Sequence, residues 1–157
     1  MKYLTRLVFA SSLIAVMSLV LIPGCDLVKS SLQRDLDAAR ARWERADIRS
    51  YEFRLRVGCF CPPNIIFPVI MTVQNGVNTD AEYAQEPKEI TTDFFKQYDT
   101  IDKLFEVVQK AIDDRVDSLT VVYESANGYP KSINIDRIKD AVDDEIAFFV
   151  ESFAPTS

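Results

Sequence analysis

The chain has 157 residues, 48% of them hydrophobic, and carries 18 Lys and Arg against 24 Asp and Glu, for a net charge of -6. That length suits one sizeable core, and that sign argues against a nucleic-acid partner held by phosphate contacts. The complete absence of histidine removes imidazole bases, Ser-His and Cys-His nucleophile pairs and nearly all catalytic zinc chemistry.

The first segment carries Lys2 and Arg6 and then an apolar run from Leu7 to Ile22 broken only by Ser11, Ser12 and Ser18. A charged start followed by an apolar stretch is the pattern of an export leader. The run is shorter than the roughly 20 apolar residues that span a bilayer as a helix, so it reads as a leader rather than a permanent span. Leu21-Ile22-Pro23-Gly24-Cys25 resembles the lipobox of bacterial lipoproteins, in which a small residue precedes the cysteine that is acylated before cleavage. This resemblance implies a leader over residues 1–24, lipid on Cys25, a short tether over 25–30, and the membrane as a partner through that lipid. Two or three acyl chains suffice for stable anchoring, whereas one binds only marginally. Asp26 stands where, in diderm bacteria with lipoprotein sorting, an aspartate resembles a signal for retention at the inner membrane. The expected address is therefore the cell envelope, on the periplasmic side of the inner membrane in such a host.

A single domain is expected over residues 31–153, with a tail at 154–157. From Ser31, a candidate N-cap, Leu32, Leu36, Ala39, Trp43 and Ala46 recur at helical spacing, and charges of both signs fill the other side. Ser50 to Cys61 switches to period two, with Tyr51, Phe53, Leu55, Val57, Cys59 and Cys61 alternating with more polar neighbours, so a half-buried strand is expected. After Pro62-Pro63, Val69, Met71 and Val73 alternate again, and Asn75-Gly76 is the preferred pair for a tight hairpin turn. Ala81 to Thr92 is polar and without period, so it reads as a loop. Thr100 is a candidate cap for a second amphipathic helix along Ile101, Leu104, Phe105, Val108, Ala111 and Ile112. Leu119, Val121 and Tyr123 trace a strand, Asn127-Gly128 supplies a turn, Ile133 and Ile135 lie on the returning strand, and Ile146 to Phe153 makes the last. The expected class is α+β, a mostly antiparallel sheet covered by two amphipathic helices. Helix, strand, Asn-Gly turn and strand recur in both halves, which raises a weakly duplicated unit as an expectation.

Few residues point to chemistry. Cys59 and Cys61 are two apart on a predicted strand, where Cα atoms lie about 6.6 to 6.8 Å from each other, at the far edge of disulfide reach. Gly58 and Pro62-Pro63 permit the bend that a bridge needs, and an exported location favours it. Buried free thiols, and a redox or metal role, are the other two readings. Asp136, Asp140, Asp143, Asp144 and Glu145 form an acidic cluster whose spacing does not match an EF-hand loop, so no metal site is expected. The four glycines form no phosphate-binding loop, no Ser or Thr nucleophile motif occurs, and no cofactor is expected.

Trp43, Tyr51-x-Phe53, Cys59-Phe60-Cys61-Pro62, Asn75-Gly76, Leu104-Phe105, Val121-x-Tyr123, Gly128-Tyr129-Pro130, Ile135-Asp136 and Asp143-Asp144-Glu145 together resemble a family of uncharacterised bacterial exported proteins and lipoproteins. Its signature is the Cys-Phe-Cys-Pro element joined to the Gly-Tyr-Pro turn. The resemblance makes Phe60, Pro62, Gly128, Tyr129 and Pro130 motif residues and implies no activity. The leading expectation is a non-enzymatic, membrane-tethered binding module with an envelope protein as partner. A thiol-redox lipoprotein using Cys59 and Cys61, and an inhibitor of an envelope hydrolase, are its rivals.

Overall fold

The computed structural model describes residues 31–138, 141 and 143–156. Within them the chain folds as an α+β layer. The elements are α1 (Ser31–Ala46), β1 (Tyr51–Gly58), α2 (Pro63–Ile66), β2 (Val69–Gln74), β3 (Val77–Tyr83), a 3-10 turn (Phe94–Gln97), α3 (Ile101–Asp114), β4 (Ser118–Tyr123), β5 (Pro130–Asp136) and β6 (Ile146–Pro155). The strands form one six-stranded sheet in the order β3-β2-β1-β6-β5-β4, and every neighbouring pair is antiparallel.

Alternation decides which face of this sheet is covered. Tyr51, Phe53, Leu55 and Val57 of β1, Val69, Met71 and Val73 of β2, Ile133 and Ile135 of β5, and Phe148 and Val150 of β6 are all buried on one face. Leu36, Ala39 and Trp43 of α1, and Ile101, Leu104, Phe105, Val108 and Ala111 of α3, close over them. Successive strand residues point to opposite sides, so Glu52, Arg54 and Arg56 stand on the other face, which no helix among the described residues covers.

Local chemistry starts and stops the elements. The Thr100 side chain accepts from the Lys103 N–H, and the Tyr51 hydroxyl accepts from the Ile101 N–H at 2.9 Å, so two of the donors left free at the start of α3 are satisfied. Burial, reinforced by the Asp102 and Asp99 carboxylates, pushes the Tyr51 hydroxyl far above the usual phenol range, which keeps it neutral. Arg115 ends α3 in the left-handed region at φ 54°. Asn75 and Gly76, at φ 51° and 80°, make the two-residue hairpin that their identity demands.

The structure departs from the sequence expectation at several points. Leu32 of the predicted apolar stripe is 38% exposed, because α1 overhangs the core by its first turn. The strand expected to run to Cys61 stops at Gly58. The segment after Pro62 contains the short helix α2, with proline at its first position. Part of the expected loop is strand, since β3 continues to Tyr83 by pairing with Val69. The expected tail begins later, as Ala154 and Pro155 pair with Glu52 and Tyr51. Each half does supply a helix and a three-strand meander, but the first half runs from the sheet centre outwards and the second from the edge inwards. The recurrence in sequence thus matches in composition and not in strand position.

Candidate functional site

The two distinctive sequence elements lie at opposite ends of the sheet. Cys59, Phe60, Cys61 and Pro62 follow the last residue of β1, whereas Gly128, Tyr129 and Pro130 precede or open β5 at the end where β1 begins. They are not brought together, and each has its own physical setting.

At the first end, Cys59 and Cys61 are disulfide-bonded with their Cα atoms 5.2 Å apart. That separation is shorter than two extended residues allow, so the strand must turn away from the sheet where the bridge closes. The turn carries Phe60 outward to 85% exposure. Pro62 is exposed beside it and leads into α2, where the Ile65 N–H returns to the Pro62 carbonyl at 2.9 Å.

At the second end, Gly128 has φ +84°, and a Cβ added there would meet the Ala39 carbonyl oxygen of α1 at 2.4 Å. Only glycine fits so near a helix backbone in that conformation. Tyr129 stacks on Phe153 with ring centroids 4.7 Å apart and meets the edge of Trp43, while Pro130 is buried as the first residue of β5. The Glu124 carboxylate accepts from the Ala126 N–H at 2.9 Å and the Asn127 N–H at 2.6 Å. Those backbone donors hold its pKa below the usual carboxylate value. Gly-Tyr-Pro is therefore the seat of α1, and its chemistry is structural.

The uncovered sheet face holds a set that motif reading passed over. Glu151 is the extra residue of a bulge between Arg54 and Leu55, and its two carboxylate oxygens lie 3.0 Å from Arg54 Nε and 2.7 Å from Arg56 Nε. The first contact is a charge pair whose Nε is not aligned as a hydrogen bond; the second is a true hydrogen bond. The Arg56 guanidinium also sits 4.2 Å from the centroid of Phe149, within cation–π range. Period-two alternation alone puts Arg54 and Arg56 side by side. The bulge that delivers Glu151 to both has no signal in the local sequence.

Also at the second end, the indole N–H of Trp43 donates to Asp102 Oδ1 at 3.0 Å, tying α1 to the first turn of α3 beside a cleft of about 260 Å³. The acidic segment folds on itself, with Asp144 Oδ2 accepting from the Ile138 N–H at 2.7 Å. Partial desolvation first, then the charges of Asp144, Asp117 and Glu145, raise the pKa of Asp136. Among the described residues no group of three His, Cys, Asp or Glu converges as metal ligands. Cys25 and Asp140 lie outside the described residues.

A model described as a family of unknown function, DUF6174, matches residues 35–155. No curated protein and no solved structure matches the chain.

Proposed function

The chain belongs to the DUF6174 family of unknown function, and on that premise we propose that it is a lipid-anchored protein of the bacterial envelope whose folded body is a non-enzymatic interaction module. The reading of the anchor rests on the charged and apolar leader and on Gly24-Cys25. The reading of the body is carried by the bare face of the sheet. There Arg54 and Arg56 share the single carboxylate of Glu151, and Phe149 holds the Arg56 guanidinium in place. Glu151 and Phe149 hold the two guanidinium groups in position, with the Glu52 carboxylate on the same face, so little ordering entropy is lost on contact. The occupant this suits is an envelope protein that presents a carboxylate beside apolar surface.

Intact mass of the mature protein isolated from membranes, under reducing and non-reducing conditions, tests the anchor, the cleavage point and the state of Cys59 and Cys61 together. An unacylated chain that keeps its first two dozen residues refutes the address. Turnover in a broad hydrolase or thiol-oxidoreductase screen refutes the non-enzymatic body. A second reading, thiol redox exchange, is favoured by the surface position of the Cys59–Cys61 bond beside the exposed Phe60. Thiol titration across redox buffers tests it, because a bond that persists under strong reductant serves structure alone.

A further inference from the structure

Packing fixes where the tether leaves the folded body. α1 and α3 run antiparallel. The Gln33 and Gln109 amides pair reciprocally at 3.0 Å near the start of α1, and Trp43 reaches Asp102 near its end. The C-terminus of α3 leads into β4, whose first residue Ser118 pairs with Asp136 of β5. Two residues back along β5, Asn134 pairs with Ala147, and Ala147 pairs with Gly58 of β1. Ser31 therefore leaves the domain at the end of the sheet where Gly58 gives way to the disulfide turn.

Exposed apolar side chains gather at this same end. Six large hydrophobic residues are exposed among those described: Leu32, Phe60, Ile66, Val77, Val122 and Ile138. Leu32 is in the overhanging first turn of α1, Phe60 on the disulfide turn, Ile66 in α2 just before β2 begins, and Ile138 just beyond the end of β5. Val77 is at the opposite end, beside the Asn75-Gly76 turn. The four at the tether end come from separate elements and project as tips rather than lining a groove.

We propose that this end is a membrane-contacting face, on which Phe60 enters the boundary between headgroups and acyl chains of the bilayer that holds Cys25. The inference rests on the lipid-anchor reading and adds an orientation to it. Residues 25–30 extend at most about 20 Å, so an acylated Cys25 keeps the Ser31 end of the domain facing the lipid. A bilayer accepts several isolated apolar tips at once, whereas a protein pocket fits one contiguous surface. An aromatic ring suits the membrane interface. The acidic residues at 143–145 stand at the same end and limit entry to a shallow depth, and they favour zwitterionic over anionic headgroups.

The test uses the full chain, acylated in cells, purified in detergent and reconstituted into phosphatidylcholine vesicles. The acyl chains carry bromine either near the carbonyl end or near the methyl end. Phe60→Trp and Val77→Trp are compared against the unsubstituted protein, whose buried Trp43 supplies a common background; both positions are exposed, so neither change disturbs the core. The expected result is flotation with the vesicles, strong quenching of the F60W signal by bromine near the carbonyl end, weaker quenching by the deeper bromine, and none for V77W. A chain that does not float refutes the anchor and this orientation with it. A chain that floats with F60W unquenched, or with V77W quenched as strongly, leaves the anchor standing and overturns the membrane-contacting face, assigning the exposed ring to a protein partner.

Discussion

Replacing Gly128 by alanine tests how α1 is held, because two separable penalties meet at that position. The first is conformational: with φ +84°, a residue bearing a Cβ costs about 1–2 kcal/mol in the left-handed region. The second is steric. The new Cβ would lie 2.4 Å from the Ala39 carbonyl oxygen and 2.8 Å from the Arg42 Cβ, and the former is helix backbone that cannot swing aside. Displacing it is an overpacking problem of about 1–3 kcal/mol. The sum, about 2–5 kcal/mol, is a large share of the stability of an ordinary domain, about 5–15 kcal/mol. Gly76→Ala is the matched control, since Gly76 has φ +80° but nothing within 4 Å of an added Cβ. Urea unfolding, followed by far-UV and near-UV circular dichroism, should place the G128A midpoint about 1–3 M below that of the parent. G76A should lose only the conformational part, with the slope unchanged in both. Equal losses in the two variants would mean that α1 does not press on the Gly-Tyr-Pro turn, and the structural role given to that motif would fall.

Asp102→Ala should cost about 1–3 kcal/mol in the same assay, because it orphans the indole N–H of a Trp43 that is only 5% exposed, while Asp102→Asn, which keeps an acceptor oxygen, should recover most of it. The pKa of Glu124 is lowered in the folded state, so its contribution to stability is present above the unfolded value of about 4.5 and is lost as pH falls through the folded pKa; Glu124→Gln should flatten stability against pH in that acid range. Asp136 has the opposite sign, its raised pKa making the charged form unfavourable above the unfolded value of about 3.8, so Asp136→Asn should raise stability at neutral pH, read as a higher thermal midpoint. Reduction of Cys59–Cys61 should lower stability by only about 1.6 kcal/mol, the chain-entropy value for so short a loop, and a collapse of the fold on reduction would contradict the peripheral place given to the bridge.

The elements legible in the sequence are those decided by neighbours along the chain. Asn75-Gly76 forms its hairpin because both residues accept positive φ, and Thr100 caps α3 because its hydroxyl is in reach of a backbone donor three residues on. Asn127-Gly128 looks the same on paper and behaves differently. Only Gly128 there has positive φ, and the connection runs from Tyr123 to Pro130 around the Glu124 carboxylate. Its geometry answers to α1, nearly ninety residues earlier, and local sequence carries no record of that contact. The same reason hid the open-face set: Arg54 and Arg56 were legible as neighbours on one face, but the bulge that brings Glu151 to both arises from pairing β1 with β6.

Phe60 and Gly128 differ in what folding asks of them, and that difference separates structure from function here. Gly128 is costly to replace because a helix backbone lies where its side chain would be. Phe60, at 85% exposure, leaves the protein nothing to lose on truncation but its own hydration penalty, since an exposed aromatic ring adds no core packing. The disulfide beside it closes a loop too short to contribute much stability, yet it fixes the direction in which the ring projects. A rigid turn that spends its constraint on presenting an apolar side chain to the outside is explained by a surface that receives that side chain, and under the proposed lipid anchor that surface is the bilayer.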